Sequence, residues 1–308
     1  MPPRFGIGLR SDRPLPEFGR LARLAEELGF DVVSVFADLG YPPPLPPLLA
    51  AAAATRRVRL GPACLNPYTT HPVEIAAQAL ALDTASNGRA YVGLAKGAWL
   101  ASIGVAQPRP VAAVREAAEV VRGLLAGRKP IPLLIGGWGP RMSALAGEIA
   151  DELKVGGSAN PALVPVMLGR LREGAAAAGR RPGSIGLVLG AVTVVDENGD
   201  AARDRARSAV AMYFEVVASL DPTLDISVDL IDRVGERLGQ GDERGAGRLI
   251  PDELLDRFAF AGTPFQVARQ VKDLFDAGAS RVEFGSPFGL DAEQGLRLLG
   301  ERVLPEFR

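Results

Sequence analysis

Short apolar runs alternate along the chain with longer segments in which apolar residues recur at helical spacing. Residues 5–9 form the first run, and Leu21, Leu24 and Leu28 then mark one face of a helix that Gly29 ends. Repetition of this alternation predicts eight strands separated by helices. The strands are predicted at residues 5–9, 31–36, 58–64, 89–96, 133–135, 152–155, 185–195 and 281–284.

Eight strands that alternate with helices over 308 residues predict an α/β fold, the (β/α)8 TIM barrel. Glycine, proline and polar residues follow several different strands, as expected of loops that converge at one end of a barrel. A doubly wound open sheet is the alternative. The polar segment 221–258 is longer than a crossover needs, so we expect a helical insertion between strands seven and eight of a single domain, residues 1–308.

Composition and charge exclude several classes of function. The chain is 47% hydrophobic with a formal net charge of -1, and its basic residues are scattered, which argues against nucleic-acid binding. One cysteine and one histidine exclude an intramolecular disulfide and a multi-thiolate metal site. No apolar stretch reaches the ~20 residues that span a bilayer, and the N-terminus lacks a signal-peptide pattern. We therefore expect a soluble cytoplasmic protein with no membrane partner and no bound metal.

The segment GPACLNPYTTHPVEIA, residues 61–76, follows the third predicted strand and opens a long apolar helix; we call it the central turn. Its prolines place a turn at the end of a strand, where backbone is commonly presented to a ligand. His71 begins the helix and is a candidate proton donor or cofactor contact, although a histidine there is also a common structural hydrogen-bonder. Asp38, directly after the second strand, is a candidate acid, cofactor contact or loop cap.

Two glycine-containing loops are candidate anion sites. GGWGPR, residues 136–141, leads from a strand into a helix, so its backbone suits a phosphate, although such a turn is also ordinary loop chemistry. LAKGA, residues 94–98, adds Lys96, whose ammonium group suits the same anion. Trp138 either covers a flat ring or packs in the core. Cys64, at the end of a buried strand, is expected to be inert.

A set of short motifs extends over nearly the whole chain. They are NPYTTHP (66–72), GRAYVGLAKG (88–97), GGWGPRMSALAGEIAD (136–151), SANP (158–161), LIPDELLDRFAFAGTP (249–264) and VEFGSPFG (282–289). A predicted helix, residues 73–86, separates the first motif from the second, and Asn87 and Gly88 are predicted to break it before the fourth strand. In order and spacing, the set resembles the bacterial-luciferase-like superfamily, and within it the coenzyme F420-dependent methylenetetrahydromethanopterin reductase group.

The resemblance implies a TIM barrel that binds the deazaflavin coenzyme F420 and exchanges a hydride with a substrate carbon. It implies a non-prolyl cis peptide between Ala63 and Cys64 that supports the deazaflavin ring. It also places Asp38 against the cofactor, and Asp38 and His71 are the catalytic candidates. The other cofactor-binding candidates lie in the central turn and the two glycine loops: Asn66, Thr70, Ala95, Lys96, Gly97, Gly136, Gly137, Trp138, Gly139 and Arg141.

Three positions depart from the resembled reductases where those enzymes carry groups that can handle a proton. Gly8 stands where they have a strand-one glutamate, Leu39 where a histidine is usual, and Ala98 where an aspartate is expected. The segment between residues 97 and 130 is also shorter than theirs. The cofactor half of the motif set is therefore kept better than the substrate half, and a methanopterin substrate is not expected.

The leading hypothesis is an F420-dependent oxidoreductase that acts on a small-molecule substrate, with the reactive chemistry carried by the coenzyme. The first alternative is an FMN-dependent monooxygenase or reductase with the same fold. The second is a non-catalytic flavin- or deazaflavin-binding protein that has lost its substrate site. Alanine-rich helices at residues 50–54 and 76–81, together with the resemblance, predict a homodimer.

Overall fold

Strands and helices alternate along the chain. In the computed structural model, which describes residues 2–181 and 183–308, there are nine strands and twelve α-helices. The strands are β1 (Arg4–Leu9), β2 (Val32–Phe36), β3 (Arg59–Ala63), β4 (Val92–Leu94), β5 (Leu133–Gly136), β6 (Glu152–Gly156), β7 (Gly186–Val195), β8 (Ala259–Gly262) and β9 (Arg281–Phe288). The α-helices are α1 (Leu15–Glu27), α2 (Leu45–Ala54), α3 (Pro72–Ser86), α4 (Pro110–Leu124), α5 (Pro140–Ile149), α6 (Leu163–Ala177), α7 (Gly199–Ala218), α8 (Val228–Gly239), α9 (Glu243–Arg248), α10 (Asp252–Phe258), α11 (Pro264–Ala277) and α12 (Ala292–Leu298).

The strands form one sheet in the order β3-β2-β1-β9-β7-β6-β5-β4, and β8 lies beside β7. Isolated parallel bridges, from Leu60 to Ala90 and from Leu65 to Leu94, connect β3 with β4. With that connection, the strands of the described residues follow one another around the sheet in chain order, and β9 takes the eighth place. This is the order of a (β/α)8 barrel, so the predicted fold class is confirmed and the open sheet is excluded.

Contacts between Cα atoms divide the chain into two units. The N-terminal unit consists mainly of Gly6–Lys154, and the C-terminal unit consists mainly of Leu187–Arg308. A core cluster of the N-terminal unit is formed by Val32, Tyr91 and Leu134. In the C-terminal unit, aromatic rings pack in pairs, such as Phe260 with Phe284 at 5.3 Å between centroids. Every site residue predicted from the sequence lies in the N-terminal unit.

Helix ends coincide with residues that suit them. Thr263 and Gln266 form a capping box at the start of α11, in which each side chain binds the backbone of the other. Asn87, with φ of 56°, ends α3 in the left-handed conformation that asparagine tolerates. The predicted break at Asn87 and Gly88 is therefore confirmed, and it places β4 close behind α3.

The segment 221–258 is helical, as predicted, and contains α8, α9 and α10. Arg203 of α7 holds the last of these helices, because its guanidinium group lies 2.9 Å from the Asp252 carboxylate and 2.7 Å from that of Asp256. Burial, the largest single influence, lowers the pKa of Arg203, but the hydrogen bonds that its guanidinium group donates to both aspartates raise that pKa above its ordinary value. The insertion is thus attached to α7 by charge as well as by packing.

One strand, β8, was not predicted from the sequence. It follows α10 without an intervening residue, and it pairs with the second half of β7, from Val192 with Ala259 to Val195 with Gly262. No glycine, proline or asparagine separates the helix from the strand, so the sequence has no turn signal at the boundary. The tertiary pairing with β7 selects the extended conformation for these residues.

Helices α5 and α6 cross in the N-terminal unit at two glycines. A Cβ atom on Gly147 would lie 2.3 Å from the Leu171 carbonyl oxygen, and one on Gly174 would lie 1.9 Å from that of Ala144. Neither approach is possible for a real side chain, so the crossing requires glycine at both positions. Because α5 starts at the end of the GGWG loop, this crossing also fixes the position of that loop.

We expect Gly174→Ala to destabilise the protein by about 1–3 kcal/mol, because the added methyl group overpacks the α5–α6 crossing. Gly169→Ala is the matched control in the same helix, since a Cβ atom there meets nothing within 4 Å. Its helix propensity should stabilise the protein by about 0.5–1 kcal/mol. The free energy of unfolding from chemical denaturation checks both values, and equal effects of the two changes would contradict the proposed crossing.

Candidate active site

The central turn is organised by the side chain of Asn66. Its Oδ1 atom accepts hydrogen bonds from Tyr68 N at 3.1 Å, from Thr69 N at 3.0 Å and from Thr69 Oγ1 at 3.1 Å. The side chain is buried, so water does not compete for these bonds. The Thr70 amide donates to the Asn66 carbonyl at 3.2 Å and completes the turn. Asn66, predicted as a cofactor contact, thus uses its side-chain oxygen to shape the backbone.

The end of β3 packs against glycines of β4 and β5. The peptide bond between Ala63 and Cys64 is cis, as the motif resemblance implied. A Cβ atom on Gly93 of β4 would lie 2.1 Å from the Pro62 carbonyl oxygen, and one on Gly136 of β5 would lie 3.0 Å from Cys64 Sγ. The missing side chains therefore let the end of β3 lie directly against β4 and β5.

The loop after β4 is hydrogen-bonded to the central turn and packs closely against it. The Ala95 amide donates to the Leu65 carbonyl at 2.9 Å. Gly97 has φ of +82°, and a Cβ atom there would lie 3.1 Å from Asn66 Cγ and 2.9 Å from Leu100 Cδ1. Both the backbone conformation and the close approach require glycine at this position. The predicted residues of the two loops are consequently in direct contact.

The chain beyond this loop is held at two neighbouring residues, one bound to the loop itself and one bound to the central turn. The Gln107 side-chain amide donates to the carbonyl oxygens of Lys96 and Gly97, the second at 3.1 Å. Tyr68 Oη donates to the Pro108 carbonyl oxygen at 2.7 Å. A tyrosine hydroxyl group is already protonated at neutral pH, and burial raises the pKa of Tyr68 further above its ordinary value of 10.0. We call residues 98–106, between Gly97 and Gln107, the β4 loop.

Two hydrogen bonds to the backbone of the GGWG loop after β5 hold it from both sides. The Gly137 amide donates to the Lys154 carbonyl of β6 at 3.0 Å. Arg170 Nη1 of α6 donates to the Trp138 carbonyl at 2.6 Å. The indole of Trp138 is only 9% exposed, so the core alternative describes its packing. No side chain caps the N-terminus of α5 after Gly139, which leaves that helix end suited to an anion.

His71 is the N-cap residue of α3. Its Nδ1 atom accepts a hydrogen bond from the Val73 amide at 3.3 Å, and the ring is otherwise exposed to solvent. The structure therefore gives it the structural hydrogen-bonding role that the sequence analysis left open. The helix cap uses Nδ1 of the ring and not Nε2, so a catalytic role of His71 is compatible with the cap and stays a prediction.

Asp38 lies two residues beyond β2, in a half-buried position. Burial raises the pKa of its carboxyl group above the ordinary value of 3.8, and the positive charge of Lys154 acts in the opposite direction. Its backbone carbonyl accepts from the Tyr41 amide at 3.2 Å, which closes the loop. A carboxyl group whose pKa is perturbed at the end of a barrel strand is a candidate functional group.

Lys154 is a site residue that the sequence analysis did not identify. It belongs to β6, is only 7% exposed, and places its ammonium group 5.2 Å from the centroid of the Phe36 ring. The available signal was a lysine placed between the apolar residues Leu153 and Val155 of a predicted strand. A charge in such a strand requires a buried partner, and this pattern alone could have marked it.

The structure brings most predicted site residues into one connected group. The turn and the two glycine loops touch one another, and Lys154 connects the GGWG loop with Asp38. Within residues 2–181 and 183–308, no three metal-ligating side chains cluster. In the same part of the chain, no helix is both long and apolar enough to cross a membrane.

Comparison with known proteins gives matches over the whole chain. The sequence profile of luciferase-like monooxygenases matches residues 1–281. A 5,10-methylenetetrahydromethanopterin reductase of Methanopyrus kandleri is 30% identical, with 99% of this chain and 98% of that protein covered. An F420-dependent glucose-6-phosphate dehydrogenase of Nakamurella multipartita is 28% identical, with 100% and 98% covered. The solved coenzyme F420-dependent tetrahydromethanopterin reductase from Methanopyrus kandleri superimposes with a TM-score of 0.91 at 28% identity, and both chains are covered to 100%.

We expect Asn66→Ala to destabilise the protein by about 1–3 kcal/mol, because three donors of the central turn lose their acceptor. Asn66→Asp keeps an oxygen at the Oδ1 position and should recover more than half of that loss. Urea denaturation of the three proteins checks the order of their stabilities. An alanine variant as stable as the parent would show that Asn66 does not organise the turn.

The raised pKa of Asp38 predicts a pH dependence of stability. Below the ordinary value of 3.8, the carboxyl group is protonated in both the folded and unfolded states. As the pH rises above that value, the unfolded carboxyl group ionises first, so the folded protein loses stability until its own carboxyl group ionises. Asp38→Asn cannot show this loss. Unfolding free energies over an acidic pH series should therefore rise for the variant relative to the parent, and a constant difference would contradict the assignment.

Proposed function

Because the chain belongs to the luciferase-like monooxygenase family, we propose that it is a coenzyme F420-dependent oxidoreductase that transfers a hydride between the deazaflavin and a small substrate. The chain is an enzyme of this family, and its coenzyme and substrate are what we propose. The observation that carries the proposal is similarity over the full chain to a reductase and a dehydrogenase whose names specify F420.

The loops of the site suit a ligand with an anionic tail. A Cβ atom on Gly139 would meet no atom within 4 Å, so the backbone before α5 is open on that side. The uncapped amides of the helix start favour negative charge there. The side chains of Lys96 and Arg141 are exposed and add positive charge to the two loops. In this proposal, the GGWG loop holds the cofactor phosphate, and the two cations neutralise it.

The end of β3 and the loop after β2 would hold the ring of the cofactor. Ala63 and Cys64 support its face, and the Asp38 carboxylate accepts a hydrogen bond from it. The bound deazaflavin supplies the hydride chemistry at a ring carbon, so the protein needs no nucleophile of its own. The protein orients the two reactants and excludes water from them. His71, exposed at the start of α3, is the second candidate for proton exchange.

The substrate side is altered relative to methylenetetrahydromethanopterin reductase. Gly8 of β1 lies in register with Ser34 of β2, and Leu39 and Ala98 are half-buried in the loops after β2 and β4. None of the residues at positions 8, 39 and 98 has a side chain that can donate or accept a proton. We therefore infer a small substrate whose hydride transfer relies on Asp38, His71 or solvent for any accompanying proton.

Equilibrium binding tests the cofactor assignment. We expect the purified protein to quench the fluorescence of oxidised F420 on binding and to bind FMN at least about tenfold more weakly, a difference of ~1.4 kcal/mol. Preference for FMN would move the protein to the flavin-dependent enzymes of the family. Tight F420 binding without turnover of any substrate in a broad panel of alcohols, aldehydes and imines would favour the non-catalytic binder.

Arg141→Gln provides the matched variant for the phosphate contact. It should weaken F420 binding about 5–30-fold, corresponding to the ~1–2 kcal/mol of a charge-assisted hydrogen bond. Arg172→Gln, which removes the same charge from an exposed position of α6, should leave the affinity unchanged. Equal effects of the two variants would reduce the role of Arg141 to general electrostatics.

A further inference from the structure

Lys154 reaches across the interior of the strand cycle. From β2 to β6 the sheet passes through β3, β4 and β5. The path along the sheet is roughly 19 Å at ~4.8 Å per strand, far beyond the reach of a lysine side chain. The ammonium group of Lys154 nevertheless lies 5.2 Å from the ring centroid of Phe36, the last residue of β2. The side chain must therefore pass through the interior.

An ammonium group in this position has to be compensated. Lys154 is 7% exposed, and burial of an unpaired charge is strongly unfavourable. The Phe36 ring supplies a cation–π contact, which is weaker than a full counter-charge. The anionic group on which Lys154 acts is Asp38, in the loop that continues from Phe36. One lysine is thus balanced by a ring and a carboxylate from the same end of β2.

The backbone of Lys154 is tied to the GGWG loop. It lies in register with Gly136, and its carbonyl oxygen accepts from the Gly137 amide at 3.0 Å. The same residue therefore connects the two loops that the proposed function assigns to the cofactor, one through its backbone and one through its charge. A lysine with a purely structural role would not need to connect the loop of Asp38 with the GGWG loop.

We propose that Lys154 is a positioning residue of the active site, which holds the Asp38 side chain as an ionised hydrogen-bond acceptor for the cofactor. The proposal rests on the proposed function, since it assumes that Asp38 contacts the deazaflavin. Lys154 itself need not touch the cofactor. Burial raises the pKa of the Asp38 carboxyl group, and the ammonium group of Lys154 acts against that rise and favours the ionised form.

Other charged or titratable groups near Asp38 have partners or positions of their own. After β1, Arg10 and Asp12 pair with each other at 3.0 Å. After β3, Cys64 packs against the core cluster and against Gly136. In the loop of Asp38, the Tyr41 amide binds the backbone carbonyl of Asp38 and not its carboxylate. Lys154 is the charge that acts on Asp38 from across the interior.

The test compares Lys154→Met and Lys154→Arg with the parent protein. The pKa of Asp38 is measured from the pH dependence of its carboxyl ¹³C chemical shift, without cofactor. We expect Lys154→Met to raise it by about one unit or more and Lys154→Arg to keep it near the parent value. Lys129→Met removes the same charge from an exposed loop and should leave the Asp38 pKa unchanged.

The second readout is F420 affinity across the acidic and neutral pH range. In Lys154→Met, Asp38 should lose its charge at a higher pH than in the parent, so the acidic side of the affinity–pH profile should shift to higher pH. Between the Asp38 pKa values of the parent and the variant, binding should weaken about tenfold. In an Asp38→Asn background, Lys154→Met should have no further effect, because Lys154 acts through Asp38. A structural lysine would instead weaken binding equally in both backgrounds.

An unchanged Asp38 pKa in Lys154→Met, or additive effects in the double variant, would overturn the proposal. If Lys154→Met does not fold, Phe36→Leu removes the ring while both charges remain, and Lys154→Arg keeps the charge. Both should then retain the Asp38 pKa, and a shift in either would also overturn the proposal. If the parent protein binds no F420, the proposed function fails, whereas the cofactor-free titration still decides whether Lys154 controls Asp38.

Discussion

The active-site end of the N-terminal unit depends on the absence of side chains at Gly93 and Gly136. A Cβ atom at the first would collide with the Pro62 carbonyl oxygen at 2.1 Å, and one at the second would press on Cys64 Sγ at 3.0 Å. Because glycine has no side chain at either position, the end of β3 can lie against β4 and β5. The hydrogen bonds of Asn66 then have a fixed base from which to shape the turn. Steric exclusion thus determines where the site is, and hydrogen bonding determines its form.

Electrostatics makes a separate contribution, because the interior of this unit is not uniformly apolar. Tyr91 donates its hydroxyl hydrogen bond toward Ser34 at 2.7 Å in the buried region, and Lys154 lies beyond it near Phe36. A buried cation costs stability unless it is compensated, and the Phe36 ring and the charge of Asp38 contribute to that compensation here. In combination with Asp38, it makes the carboxyl end of β2 a place where charge is controlled by the fold.

The sequence predicts the fold well where apolar periodicity and turn residues agree. Asn87 and Gly88 end α3 at the predicted position, whereas β8 follows α10 without any turn residue and depends on pairing with β7. Site residues are predictable where backbone geometry dictates the residue type, as at Gly97. For Lys154, a lysine between buried apolar residues marks a buried charge, but its partner comes from a distant strand, and no local pattern encodes that contact.

The hydrogen bonds of Tyr68 and Gln107 fix the chain next to the β4 loop and involve no residue of the loop itself. The Gln107 side chain joins the two ends of residues 98–106 by binding the carbonyl oxygens of Lys96 and Gly97, and Tyr68 Oη holds the following residue, Pro108, so the path into and out of this segment is set by its neighbours. Trp99 and Ile103, within the segment, are exposed and take no part in those bonds. Residues of this loop can therefore be exchanged, in evolution or by protein engineering, while the neighbouring strands keep their register.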